Sequence, residues 1–327
     1  MTKWSRKQYS SFMRNAPYRH EEERAHTNLL EEYDEGVQFA RSYYADEIEP
    51  QLRTHLAGNT VKVSERQLPK LYRAGQMCAA ALGMQPPELY MHAAVEMQAV
   101  SYGMGPHYIS LSSGAVDAMN IAEIRFVIGH ELGHAASDHV LWSAVGRLLL
   151  HRIGEVAQQT RQKRLAARQR HEELQTFAAR AYNSGTLEGM QLAQQALHEA
   201  EQLGHYHDSL LESDFSWHGS AEHLAQTIAE WQPLSEISAD RAGLLCAQEL
   251  DAAASCIVKL TSGSSRLADQ IDPDELLKQA TGLQAGASSY GGTHPLMVHR
   301  IVHLTTWCTE KNTQKLLEVA KYLIQTR

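Results

Sequence analysis

The sequence predicts an α+β fold that is mostly helical, with one small mixed sheet and a helical insertion. Three observations predict it. Residues 120–136 place apolar side chains at helical spacing; residues 88–113 are dense in β-branched and aromatic residues; and residues 141–230 carry leucines at helical spacing over two long stretches. The boundaries these imply are an N-terminal helical segment, 1–59, and a domain over 60–327 that is interrupted by the insertion at 141–230.

The N-terminal segment is charged and reads as helical between Glu21 and His55. It can cover a cleft, wrap the domain or serve as an interaction arm. Within 88–113, Tyr108, Ser110 and Ser112 alternate with Ile109 and Leu111, which places the sheet there. A free edge strand would accept an extended peptide antiparallel; the alternative is an edge covered by the N-terminal segment.

Asn120 caps the next helix, with Glu123 at the capping-box position, and Ile121, Ile124, Ile128, Leu132 and Ala135 form one apolar stripe. On this helix lies His130-Glu131-Leu132-Gly133-His134. Residues four apart sit about 40° apart on the wheel, so both imidazoles reach one ion while Glu131 faces its open position. Zinc in such a site lowers the pKa of a bound water to near ~7, and the carboxylate takes its proton as the water attacks a carbonyl. Both histidines lie about 140° from the centre of the stripe, against an ordinary core role. Gly129 and Gly133 each cost the helix roughly 1 kcal/mol against Ala, which close packing of another element explains. The plain alternative is a helix with surface histidines.

A catalytic zinc needs a third protein ligand. A histidine six residues beyond His134, after a glycine at three, would be one solution, but those positions hold Val140 and Ser137, and His139 is one residue out of register. After Pro233, at the start of a helix expected to run through Leu250, Glu236 and Asp240 are again four apart. Two carboxylates so spaced weaken a helix by about a few tenths of a kcal/mol unless a cation or donor lies between them. Zinc on Glu236 and an imidazole N–H on Asp240 would supply both, the latter fixing a ligand histidine's tautomer. Two solvated acids are the plain alternative.

His-Glu-x-x-His, then Glu-x-x-Ala-Asp-Arg at 236–241, then Thr293-His294-Pro295 followed by Arg300, in that order, resembles metallopeptidase family 48. This gluzincin family includes the CAAX prenyl protease and the bacterial heat-shock protease HtpX. The resemblance covers roughly 60–140 and 230–308, including a helix ending at Leu82-Gly83 that leads through Pro86-Pro87 into a short strand. It implies a zincin-like fold and one Zn2+ per chain on His130, His134 and Glu236. It also implies Glu131 as general base, Asp240 behind a ligand histidine, and His294 and Arg300 close to the site. The residues agree for the last pair: Gly291-Gly292 lets the backbone turn, Pro295 suits a first helical turn, and His294 can donate to an oxyanion. Arg300 can do the same or hold a carboxylate.

Two departures from the family stand out. The longest apolar run between the motifs, Val140–Leu150, is interrupted by Arg147 and falls short of the ~20 residues a membrane span needs, so the chain reads as a soluble member. Where the family's substrate-side strand often has Asn-Ala-Phe, this chain has Gln98-Ala99-Val100-Ser101, so substrate preference does not carry over.

Net charge of −8 with 21% charged residues fits a folded globular chain without the footprint of a nucleic-acid binder. The polar start Met1-Thr2-Lys3-Trp4-Ser5-Arg6-Lys7 shows no signal peptide, and Cys78, Cys246, Cys256 and Cys308 lack Cys-x-x-Cys spacing and read as reduced thiols, so a cytoplasmic location is expected. In the insertion, Leu165, Leu174, Phe177, Leu187, Leu192, Leu197 and Leu203 suggest a helical hairpin broken near Asn183-Ser184-Gly185. Arg161, Lys163, Arg164, Arg168 and Arg170 read as a solvated face, with docking on an acidic partner or peripheral membrane contact as the alternative. His205, His207, Asp208, His218 and His223 read as surface residues; the alternative is a lid whose histidine takes the open zinc position. Either way an insertion between two metal-binding helices can gate the cleft.

The expected activity is a zinc-dependent metalloendopeptidase acting on peptides or unfolded protein. The alternative is a non-hydrolytic scaffold or chaperone-like binder that uses the hairpin as its surface, which an intact Glu131 argues against. An amidase using the same triad is a third.

Overall fold

The computed structural model describes residues 5–31, 38, 41–268, 270–272, 275, 278 and 297–326, without the side chains of 145, 147–153, 156, 157, 207–222, 224, 225, 267 and 268. The chain starts with α1 (Arg6–Arg14), which the sequence reading does not anticipate. Ser5 and Gln8 close a capping box at its start, and Met13 packs into the core. α2 (Glu21–Glu31) carries three acids in its first turn, where they complement the helix dipole. A π-helical turn at Tyr44–Ile48 leads into α3 (Glu49–Asn59).

The sheet follows as β1 (Val61–Lys62), β2 (Glu88–His92), β3 (Ala99–Tyr102) and β4 (Tyr108–Ser112), with α4 (Pro69–Ala81) between β1 and β2. The strand order is β1-β2-β4-β3. β2 runs parallel to β4, with Glu88 opposite Tyr108, and β3 runs antiparallel to β4, with Ala99 opposite Leu111, so the sheet is mixed and β3 is an edge. All five residues of β4 are buried. Its alternation therefore marks two different packed faces rather than one wet face. Ile109 and Leu111 join the main core, whereas Tyr108 packs with Tyr90 and Leu56 of α3 and accepts from Arg53 Nε at 2.6 Å.

After α5 (Ser113–Ala118) comes α6 (Ile121–Ala136). Asn120 Oδ1 accepts from the N–H groups of Ala122 and Glu123 at 2.8 and 3.0 Å, and Glu123 Oε2 accepts from Asn120 N–H at 2.8 Å. The apolar stripe understates this helix, because it is buried almost all round and only its first residue, Ile121, is half exposed. The close partner is the last part of α8 (Leu187–Ala247), which follows α7 (His139–Tyr182). A Cβ on Gly129 would lie 2.6 Å from Cys246 Cβ, and one on Gly133 would lie 2.7 Å from Ala242 Cβ. Small residues on both helices thus let the backbones meet.

Here the expected boundary needs correction: the helix carrying Glu236 does not start after Pro233 but runs through it, and it ends at Ala247 rather than Leu250. A proline removes one i→i−4 bond and crowds the preceding turn, a cost of about 3 kcal/mol. Burial of Trp231, Ile237, Ala239 and Ala242 around it outweighs that cost. α9 (Leu250–Ser262), α10 (Ser265–Ala268), α11 (Met297–Cys308) and α12 (Lys311–Gln325) complete the described elements.

The chain divides into two compact units, 1–145 with 228–327, and 146–227. In the first, Met13, Ala16 and Tyr18 share one core with α4, β4, α6, α9, α11 and α12, so the N-terminal residues are part of this unit. The second is a helical hairpin turning at Asn183–Gly185, where Gly185 takes φ +68°. Its interior is Leu174 and Ala178 against Ala193, Ala196 and Ala200; alanines let the helices close up, and they leave Leu165, Phe177, Leu187, Leu192 and Leu197 exposed. Arg168 pairs with Glu172, and Arg170 with Glu173 and Glu199, so the basic run is a solvated, internally paired face at those positions. No helix among the described residues is long and apolar enough to cross a membrane.

Candidate metal centre

α6 projects His130 and His134 on successive turns, and the contact at Gly129 and Gly133 brings Glu236 of α8 up to them. His130 Nε2 and His134 Nε2 lie 3.1 Å apart; Glu236 Oε2 is 3.5 Å from the first and Oε1 is 3.5 Å from the second. Ligands at about 2.0–2.1 Å from a tetrahedral ion are separated by about 3.3 Å, so the two nitrogens and the carboxylate lie at separations that suit such a site. Two imidazole nitrogens and one carboxylate oxygen are also the donor chemistry that zinc takes. The group fits a metal ion.

Charge agrees with geometry. Glu131, Glu236 and Asp240 are buried beside Arg300; three carboxylates against one guanidinium leave two negative charges if the imidazoles are neutral, the complement of a divalent cation. Asp240 accepts from Arg300 Nε at 2.7 Å and Nη2 at 2.6 Å, and its Oδ1 is 2.9 Å from His130 Nδ1. Burial alone would push the His130 imidazole down, but the hydrogen bonds to Asp240 and Glu236 outweigh it and push it up to about 10. His134 goes the other way, burial holding it well below the usual histidine range. Burial would raise Glu236, yet the adjacent His134 and His130 hold it well below the usual carboxylate range. Asp240 is likewise lowered, burial being outweighed by Arg300.

Glu131 is different. Burial raises its carboxyl above the usual range, although the nearby hydroxyl and backbone N–H of Ser101 on β3 pull it down. The edge strand thus comes up beside the carboxylate, and Gln98, Ala99 and Val100 line the same cavity of about 660 Å³ as His130, Glu131 and Arg300. The structure places His130, His134, Glu131, Glu236, Asp240 and Arg300 together. Of the two tasks the sequence leaves Arg300, its Nε and Nη2 are spent on holding a carboxylate, that of Asp240. His294 lies outside the described residues, as do the side chains of His207, Asp208 and His218, while His205 and His223 are exposed.

Sequence reasoning misses Glu23, Arg19 and Ser101, and reads His139 only as out of register for a ligand. His139 Nδ1 is 2.9 Å from His134 Nδ1, and its Nε2 is 3.2 Å from Glu23 Oε1. Spacing from His134 could have raised His139; no local signal marks Glu23, more than a hundred residues away in the chain.

Comparison with known proteins agrees with this geometry. Residues 65–308 match peptidase family M48. The plastoglobule-localized metallopeptidase 48, chloroplastic, of Arabidopsis thaliana is 22% identical over 93% of this chain and 75% of its own length. Protease HtpX homologs of Ralstonia pickettii (strain 12J) and Ralstonia nicotianae are 25% and 26% identical, each over 37% of this chain, which spans 42% of their length. No solved structure matches significantly.

Proposed function

The chain belongs to peptidase family M48, and from that premise we propose that it is a zinc-dependent metalloendopeptidase hydrolysing peptides or unfolded protein. The observation that carries the reading is the convergence of two imidazole Nε2 atoms and the Glu236 carboxylate at near-tetrahedral separations, with a buried Glu131 beside them. When bound, zinc supplies a Lewis acid and lowers the pKa of water to about 7. His130, His134 and Glu236 would hold it. Asp240 accepts the His130 Nδ1–H and leaves Nε2 free to ligate, and Arg300 keeps that carboxylate ionised and oriented.

Glu131 takes the proton of the attacking water and delivers it to the leaving amine, a task suited to a carboxyl raised by burial. Ser101 holds its carboxylate in place, so that edge strand β3 both positions the base and offers backbone to an extended peptide. His294 donates to the oxyanion of the tetrahedral intermediate. The free thiols of Cys78, Cys246, Cys256 and Cys308 support action in the cytoplasm.

The test is Glu131→Gln. It should retain zinc at one per chain and lose about 10²–10⁴-fold in turnover on a protein-digest library read for new termini by mass spectrometry. Undiminished cleavage by this variant would sink the mechanism.

A further inference from the structure

We propose that the N-terminal helix α2 completes the metal centre: Glu23, acting through His139, holds the His134 imidazole with Nε2 turned to the ion. This rests on the metal-centre reading above. It follows from where protons must sit. For Nε2 of His134 to offer a lone pair, the proton of the neutral ring must be on Nδ1. Nδ1 is 2.9 Å from His139 Nδ1, so His134 donates and His139 accepts. The His139 proton is then on Nε2, 3.2 Å from Glu23 Oε1, and the carboxylate accepts it. Each atom has one role. The reverse direction would protonate His134 at Nε2, blocking ligation, and would require a donor on Glu23.

The far end of this relay is anchored as firmly as a ligand. Glu23 is fully buried and accepts from Arg19 Nε at 2.6 Å and from Ser238 Oγ at 3.3 Å. Ser238 in turn accepts from His20 N–H at 2.9 Å, and it sits two residues beyond Glu236 on the third-ligand turn. The His139 ring, also buried, meets the edge of Trp231 at 5.5 Å and 88°. Burying a carboxylate without partners is costly, and here its partners include the ring that meets His134 Nδ1. Glu23 and His139 are positioning residues, as outer partners of metal-bound histidines generally are.

Zinc affinity by chelator competition and the absorption spectrum of the cobalt-loaded full chain decide the matter. The proteins compared are wild type, Glu23→Ala, Glu23→Gln, His139→Ala, the double alanine variant and Leu30→Ala. Leu30 is buried on the same helix but outside the relay, so its variant reports loosening of α2 alone. Expected are a roughly 10–100-fold loss of zinc affinity and an altered cobalt spectrum in Glu23→Ala and His139→Ala. Glu23→Gln should recover part of the loss, since an amide oxygen still accepts, and the double variant should bind no more weakly than His139→Ala.

Leu30→Ala should melt earlier with wild-type affinity and spectrum. Wild-type affinity in Glu23→Ala, additive losses in the double variant, or an equal loss in Leu30→Ala would each overturn the proposal while leaving the metal centre standing. A wild type that takes up neither zinc nor cobalt would overturn the metal centre itself. Should Glu23→Ala not fold, His139→Ala and Glu23→Gln carry the same comparison.

Discussion

Behind each of the two histidines stands an arginine-carboxylate pair, but the pairs reach their rings differently. Asp240, clamped by Arg300, touches His130 directly at 2.9 Å. Glu23, clamped by Arg19, reaches His134 only through His139. A carboxylate in contact with a ring stabilises its protonated form, and a neutral imidazole in between does not. Both rings are lowered by burial; only in His130 do carboxylate contacts more than reverse it. The direct arm therefore makes its ring more basic, whereas the relayed arm orients its ring while leaving its basicity to burial.

Breaking the direct arm should have the larger effect. Asp240→Asn leaves the buried Arg300 guanidinium without its carboxylate and should cost about 3–5 kcal/mol in denaturant melts. Zinc affinity should fall by about 100-fold, the upper end for an outer partner of a ligand histidine. An Asp240→Asn protein that binds zinc as tightly as wild type would mean that the contact serves the fold and not the ligand.

Moving both arms together is the next step down. In Gly133→Ala the new Cβ would meet Ala242 Cβ at 2.7 Å and Ala239 Cα at 3.0 Å, forcing α6 and α8 apart where they present His130, His134 and Glu236. Overpacking of this kind costs about 1–3 kcal/mol. Gly154→Ala makes the opposite change. Its Cβ meets nothing within 4 Å on an exposed helical position, so about 0.5–1 kcal/mol of stabilisation is expected. Equal melting shifts in the two variants would show that the contact at Gly133 is looser than these distances.

The same contrast explains what was readable in the sequence. The direct arm lies within motifs: His130, Glu131 and His134 share a helix with a readable cap, and Glu236 and Asp240 share α8, so a 3.6-residue repeat brings each set to one face. The mixed sheet and the hairpin turn at Asn183–Gly185 were legible for the same reason, since alternation and turn residues are local signals. The relayed arm depends on α2 packing against Ser238, a contact that no periodicity encodes. The uninterrupted passage of α8 through Pro233 was also hidden, because local propensity opposes it and tertiary burial decides it. Ser101 was visible only as a departure from a family pattern, yet its hydroxyl and N–H lower the Glu131 carboxyl against the push of burial.

A pH series separates the arms in the folded protein itself. Burial would raise the Glu23 carboxyl, but hydrogen bonds from His139 and Arg19 hold it well below the usual carboxylate range. A carboxyl depressed in the folded state binds its proton more readily when unfolded. Its contribution to stability is therefore complete above the unfolded value, about 4.3, and is lost as pH falls through and below it. The stability gap between wild type and Glu23→Gln should accordingly be constant from neutral pH down to about 5, on the order of 2 kcal/mol as for hydrogen bonds to a charged group, and should narrow below that. Urea midpoints of the metal-free proteins at a series of pH values measure it. A gap that stays constant to pH 3, or widens on acidification, would mean that the relay ends in a protonated Glu23. His139 would then lack an anionic acceptor, and its ring, which meets His134, would be oriented by its packing against Trp231 instead.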